Sequence, residues 1–169
     1  MRQARQAAID TATALKCELA GEVLRSFGTL RFAATGWSML PSILPGDTLV
    51  VESVSPAQVR LGDIVLVQRQ GRLCAHRVVD METGPENPHW ITQGDALPAP
   101  DPPVVRDELL GWVSYLIRAG KLLAIPAKVS AANSLVAKVV RHSFPAARAV
   151  VYLHRMRHTS DEPVPVCLD

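Results

Sequence analysis

From Thr29 to Val113 the chain is a succession of short β-rich runs, TLVVESV, DIVLVQR, LCAHRVVD, HWITQGD and LGWVSYL, each cut off by proline, glycine or aspartate. β-branched, aliphatic and aromatic residues at this density suit a pleated, half-buried surface. The intervals between the runs show no helical period, and parallel strands require crossover segments of a dozen residues or more. The pattern therefore disfavours a βαβ architecture and implies an antiparallel, barrel-like or sandwich β domain. Gln70-Gly71 reads as the short turn of a hairpin between the second and third runs.

With 169 residues the chain can build one sizeable core rather than two. Apolar residues at 48% and charged residues at 20% exclude collagen-like, disordered and disulfide-scaffold classes. Cys17, Cys74 and Cys167 form no CxxC pair and no zinc-type grouping with histidine, so no metal or cofactor is expected.

Two segments flank the β region. Over residues 3–28, Leu15, Leu19, Val23 and Phe27 recur at intervals of four, widened by Ala20 and Leu24. This spacing predicts an amphipathic helix, stopped near Gly28, whose apolar face packs on the domain. Residues 111–160 hold eight basic side chains (Arg118, Lys121, Lys128, Lys138, Arg141, Arg148, Arg155, Arg157) and no acidic one. The remaining ten basic and sixteen acidic side chains leave −6 on the rest of a chain whose net charge is +2. The expected organisation is an N-terminal helix over 1–28, a β-rich domain over 29–117, a basic helical tail over 118–160 and a disordered terminus over 161–169. Within the tail, helices are expected at about 127–142 and 146–157, split by Pro145. The opening residues lack the apolar stretch of a secretory signal. Lys128 and Lys138 interrupt the least charged stretch, Leu122 to Val140, at a cost of roughly 2.5–3.5 kcal/mol each inside a bilayer. Cytoplasmic and membrane-peripheral locations both fit, and the sequence does not choose between them.

The chemistry concentrates in four segments. Gly36-Trp37-Ser38-Met39-Leu40-Pro41-Ser42-Ile43-Leu44-Pro45-Gly46-Asp47 sets Ser38 ahead of a proline-restricted stretch and a PGD turn, at the mouth of a β run. Alone, such a serine is an ordinary turn residue. Gly62-Asp63-Ile64-Val65-Leu66-Val67 comes next, followed by Leu73-Cys74-Ala75-His76-Arg77-Val78. In a strand, Leu73, Ala75 and Arg77 share one side, and Cys74, His76 and Val78 the other. Finally TQGD and the proline-rich ALPAPDPPVV supply Asp95 and Asp101.

In this order the segments resemble the signal peptidase I superfamily of serine proteases, which includes the self-cleaving LexA-type repressors. In that family a nucleophilic serine lies in an S-M-x-P box followed by P-G-D. A G-D-I-V box follows, and about a dozen residues later K-R-V or H-R-V supplies the base. The resemblance runs from Gly36 to Asp101 and implies Ser38 as nucleophile. Bacterial housekeeping members and repressors use lysine as base, and microsomal-type members use histidine. The only lysines here are Lys16, Lys121, Lys128 and Lys138, so the β region has none and His76 is the candidate. An imidazole of pKa ~6.5 is already mostly neutral at pH 7, whereas a lysine near ~10.4 must be lowered by several units. A carboxylate on the other ring nitrogen would fix the tautomer and stabilise the imidazolium. Asp95 and Asp101 both stand as candidates. By analogy with the microsomal type, where the later aspartate has that role, Asp101 is favoured and Asp95 is expected to hold the loop.

One position departs from the bacterial pattern. Gly36 stands where many relatives have a serine whose hydroxyl helps hold the oxyanion, leaving the Ser38 N–H, with a neighbouring amide or hydroxyl such as Thr35 as the candidate second donor. Loss of one such donor costs about 3 kcal/mol in the transition state, so slow turnover is expected. The resemblance implies a serine endopeptidase acting on extended peptides or precursor proteins with small residues at the first and third positions before the cut. The basic stretch 120–157 is a candidate for peripheral contact with anionic membrane. Nucleic acid is not an expected partner, because that stretch lacks aromatic interleaving. Two other readings are a LexA-like regulator that cuts itself at Ala20-Gly21 and a catalytically inactive, peptide-binding scaffold.

Overall fold

The computed structural model describes residues 2–82 and 88–126, with side chains from residue 14 onward, and forms them into one long helix and seven strands. Helix α1 spans Arg2–Phe27 and stops where Gly28 takes a φ of 72° and returns its N–H to the Leu24 carbonyl at 3.0 Å. The strands are β1 (Thr29–Ala33), β2 (Thr48–Glu52), β3 (Ile64–Arg69), β4 (Arg72–Glu82), β5 (His89–Gln93), β6 (Leu109–Arg118) and β7 (Lys121–Ala124). All pairings are antiparallel, in the order β1-β2-β6-β3-β4-β5, with β7 added to β6. The architecture is mainly antiparallel β with an N-terminal helix, and the sheet does not close into a barrel.

The Ile64-Val65-Leu66-Val67 run explains how this sheet buries both faces. Ile64 and Leu66 join Leu24, Met39, Ile43, Leu49, Val51, Val113 and Leu116 in a cluster on the helix side. Val65 and Val67 point the other way, into a second cluster with Val59, Val78, Trp90 and Val104. A strand covered on both faces gains from apolar residues at every position, hence the unbroken run. Between β3 and β4, Gln70 and Gly71 have φ of 51° and 70°, the paired positive values of a type I′ turn. That turn sets the register in which Val65 faces His76 and Val67 faces Cys74.

The helix face agrees with the expectation at Ala20 and Leu24 and differs from it at Leu15, Leu19 and Phe27. Leu15, Leu19 and Phe27 are 64%, 61% and 77% exposed, whereas Cys17, Ala20, Gly21 and Leu24 are buried. Small residues win the inner face because α1 rides close to the sheet. Ala14 lies against Gly71, the Cys17 thiol donates to the Gly71 carbonyl at 3.0 Å, and a Cβ on Gly21 would lie 3.6 Å from Leu110.

The expected start of a helical tail at 118 also differs from what is seen. Arg118 closes β6, and Ala119 and Gly120 (φ 48° and 71°) turn the chain into β7, so the β region continues to Ala124. The helices expected at 127–142 and 146–157, and the terminus 161–169, lie outside the described residues. Among the described residues no helix is long and apolar enough to cross a membrane.

Candidate active site

Ser38 sits in the loop joining β1 to β2, which the sequence secures at several points. Met39 and Ile43 plug into the helix-side core, and Leu40 and Leu44 are buried beside them. The PGD turn closes the loop. Gly46 at φ 100° donates to the Ala34 carbonyl at 2.7 Å, Asp47 accepts the Leu44 N–H at 2.7 Å, and the Ala34 N–H reaches the Asp47 carbonyl at 2.8 Å. Only glycine accepts that φ without strain.

His76 lies on β4, on the face shared with Val65, and its ring is nearly enclosed. Nε2 is 2.9 Å from Ser38 Oγ and Nδ1 is 2.6 Å from Asp101 Oδ2. The two ring nitrogens have different jobs in a neutral imidazole: one carries a proton and the other accepts one. Asp101 can only accept when ionised, which puts the proton on Nδ1 and leaves the Nε2 lone pair facing the serine hydroxyl. Asp101 reaches the ring because the proline-rich loop after β5 folds back. Its N–H donates to the Thr92 carbonyl at 2.7 Å, and Thr92 Oγ1 donates to Asp101 Oδ2 at 2.8 Å. Thr92 is itself buried, so its bond is shielded from water. Arg69 holds the loop from outside, donating to the Pro102 and Pro103 carbonyls at 2.9 and 2.7 Å and to Glu108 at 2.8 Å. Those bonds to Arg69 hold the Glu108 carboxyl below the usual glutamate range.

Asp95 does not touch His76. Its carboxylate faces Arg77, with Nε on Oδ1 at 2.9 Å and Nη2 on Oδ2 at 3.0 Å, and it accepts the Ser42 hydroxyl. Arg77 also donates to the carbonyls of Gly62 at 2.8 Å and Pro126 at 3.0 Å. The turn around Asp95 meets the Ser38 loop directly, since the Ala96 N–H donates to the Ser38 carbonyl at 2.8 Å. Gly94 permits this approach: a Cβ there would lie 2.7 Å from that carbonyl oxygen.

Thr92, Ser42, Arg69, Arg77 and Arg118 are partners that sequence reasoning did not single out. Arg77 carried a usable signal, standing next to His76 on the opposite strand face. Arg118 was counted among tail charges, yet it pairs with buried Asp47 at 2.9 and 2.6 Å. Gly36 is open to the surroundings, with nothing within 4 Å of where a Cβ would be. Cys74, exposed and two residues before His76, has its thiol pushed up by local desolvation and then by the Asp101 charge. Ala20-Gly21 lies inside α1 on its buried face, so cleavage there would require the helix to unwind into the extended form a protease binds. Among the described residues no group of three His, Cys, Asp or Glu side chains is placed to hold a metal ion.

The mainly antiparallel β domain with its N-terminal helix is consistent with a peptidase domain of the S24 type. The family model described as Peptidase S24-like matches residues 5–90, just over half of the chain, and the protein belongs to that family. The matched stretch includes Ser38 and His76 and ends before Asp95 and Asp101. No curated protein and no solved structure matches the chain.

Proposed function

We propose that this member of the family is a serine endopeptidase in which Ser38 is the nucleophile, His76 the general base and Asp101 the residue that orients the base. The observation that carries the reading is the continuous line from Ser38 Oγ to His76 Nε2 at 2.9 Å and from Nδ1 to Asp101 at 2.6 Å. As Ser38 Oγ attacks a peptide carbonyl, its proton passes to Nε2 and the ring becomes an imidazolium. The Asp101 carboxylate, also bonded by Thr92, stabilises that charge without taking the proton. The imidazolium then protonates the departing amine, leaving an acyl-serine, and the neutral ring activates the water that hydrolyses it. The oxyanion meets the Ser38 N–H without a hydroxyl from position 36, which makes this a slow enzyme.

The choice of an extended peptide with small residues at the first and third positions before the cut, as in signal peptidases, rests on the resemblance. Peripheral contact of 120–157 with anionic lipid rests on the charge distribution alone. Ser38 is tested with a fluorophosphonate, which phosphonylates an activated serine, followed by a panel of such peptides. The parent chain is expected to be labelled at Ser38 and to cut the peptides, and Ser38→Ala to do neither. Equal turnover by Ser38→Ala overturns the assignment. Absence of labelling in the parent chain supports the inactive scaffold instead.

A further inference from the structure

Ser42 stands four residues after the proposed nucleophile and is where two arginine-carboxylate pairs from different strands converge. Its hydroxyl donates to Asp95 Oδ2 and lies 3.4 Å from Arg77 Nη2, and its carbonyl accepts Arg118 Nη2 at 3.1 Å. Arg77 belongs to β4 and pairs with Asp95, and Arg118 ends β6 and pairs with Asp47. The carboxylates of both pairs are 3% exposed, so the contacts are shielded from solvent and from salt. Each pair touches the nucleophile loop a second time. Asp47 accepts the Leu44 N–H, and the residue after Asp95 donates its N–H to the Ser38 carbonyl. Ser38 and Ser42 are thus both fastened to the turn around Asp95, one by backbone and one by side chain. That turn is in turn fastened to the residue next to His76.

We infer that Ser42 is a positioning residue that holds the Ser38 loop in register with the strand carrying His76, an inference that rests on the peptidase reading above. The hydroxyl suits the junction because it donates to a carboxylate and accepts from a guanidinium at once. An alanine would leave Asp95 and Arg77 paired with each other and the core intact, while cutting the side-chain link from Ser42 to that pair. The loop would gain freedom, and the 2.9 Å approach of Ser38 to His76 would be held less often. Misplacement by about 1 Å at a reacting pair costs on the order of a hundredfold in rate, so a partial loss of register is expected to cost at least about tenfold.

The test uses the full chain with Ser42→Ala and, as the conservative partner that keeps the hydroxyl, Ser42→Thr. Amide hydrogen exchange is followed over residues 37–47, the rate of fluorophosphonate labelling of Ser38 is measured well below the melting temperature, and the melting temperature itself is recorded. Expected for Ser42→Ala are faster exchange confined to the loop and labelling slowed at least about tenfold, with Ser42→Thr returning both to near the parent values. A residue with only a bulk stabilising role would lower the melting temperature and leave labelling of the folded protein unchanged. That result overturns the inference, as does unaltered loop exchange in Ser42→Ala. A parent chain that resists labelling while loop exchange still responds to Ser42→Ala refutes the peptidase reading and supports Ser42 as the fastener of the loop.

Discussion

His76 and Arg77 are neighbours on one strand, point to opposite faces of the sheet, and each has its own aspartate. The His76-Asp101 pair is 9% and 25% exposed, and the far side of the ring meets a hydroxyl that can leave its proton. The Arg77-Asp95 pair is 6% and 3% exposed, and the guanidinium is surrounded by acceptors: two carboxylate oxygens, two carbonyls and a hydroxyl. A guanidinium keeps its charge at any physiological pH, so the second pair can only hold position. An imidazole changes charge near neutrality, so the first can carry a proton. The same carboxylate chemistry, turned to two faces of one strand, meets a group that can titrate on one side and a fixed cation on the other.

That contrast is open to attack by exchanging each aspartate for its amide. Asp101→Asn is expected to lower the rate of peptide cleavage by about 10³–10⁴-fold, because the amide no longer enforces the tautomer that presents a bare Nε2 to Ser38. Its denaturation midpoint should stay close to that of the parent, as the site is partly open to water. Asp95→Asn is expected to show its main effect in chemical denaturation, losing about 3–5 kcal/mol of stability because Arg77 is left buried without its counter-charge. If Asp95→Asn unfolds at the parent's denaturant concentration, the holding role is wrong. If Asp101→Asn retains parent activity, the division between the two aspartates fails from the other side. The smallest effect expected is a gain. Gly36→Ser adds a hydroxyl where nothing lies within 4 Å, and steady-state kinetics should show kcat/KM raised, by up to the roughly hundredfold that one oxyanion donor is worth.

The strands and the proposed pair of Ser38 and His76 were legible in the sequence because both rest on local rules. Alternation put His76 and Arg77 on opposite faces, Gln70-Gly71 marked the hairpin, and the absence of lysine between Cys17 and Gly120 left His76 as the candidate base. Asp101 could be preferred over Asp95 only by resemblance, since the fold-back that brings it to the ring depends on Thr92 and Arg69, distant in sequence. The helix was legible in extent, and of its expected face Ala20 and Leu24 are buried while Leu15, Leu19 and Phe27 are exposed. Four large apolar residues at intervals of four mark a stripe, but which stripe lies inward depends on how near the axis comes to the sheet, and that distance favoured Cys17, Ala20 and Gly21. Arg118 shows the same limit: a charge count along the chain cannot tell a solvated cation from one seated on a buried carboxylate.

The Gln70-Gly71 turn has a consequence for how sequences of this kind can change. Side chains on a strand alternate, so inserting or deleting one residue before β4 would swap the imidazole and the guanidinium between faces, undoing the Ser38-His76-Asp101 line and the Arg77 anchorage in a single step. The hairpin tip touches neither aspartate, yet its length is the gauge by which both side chains are aimed.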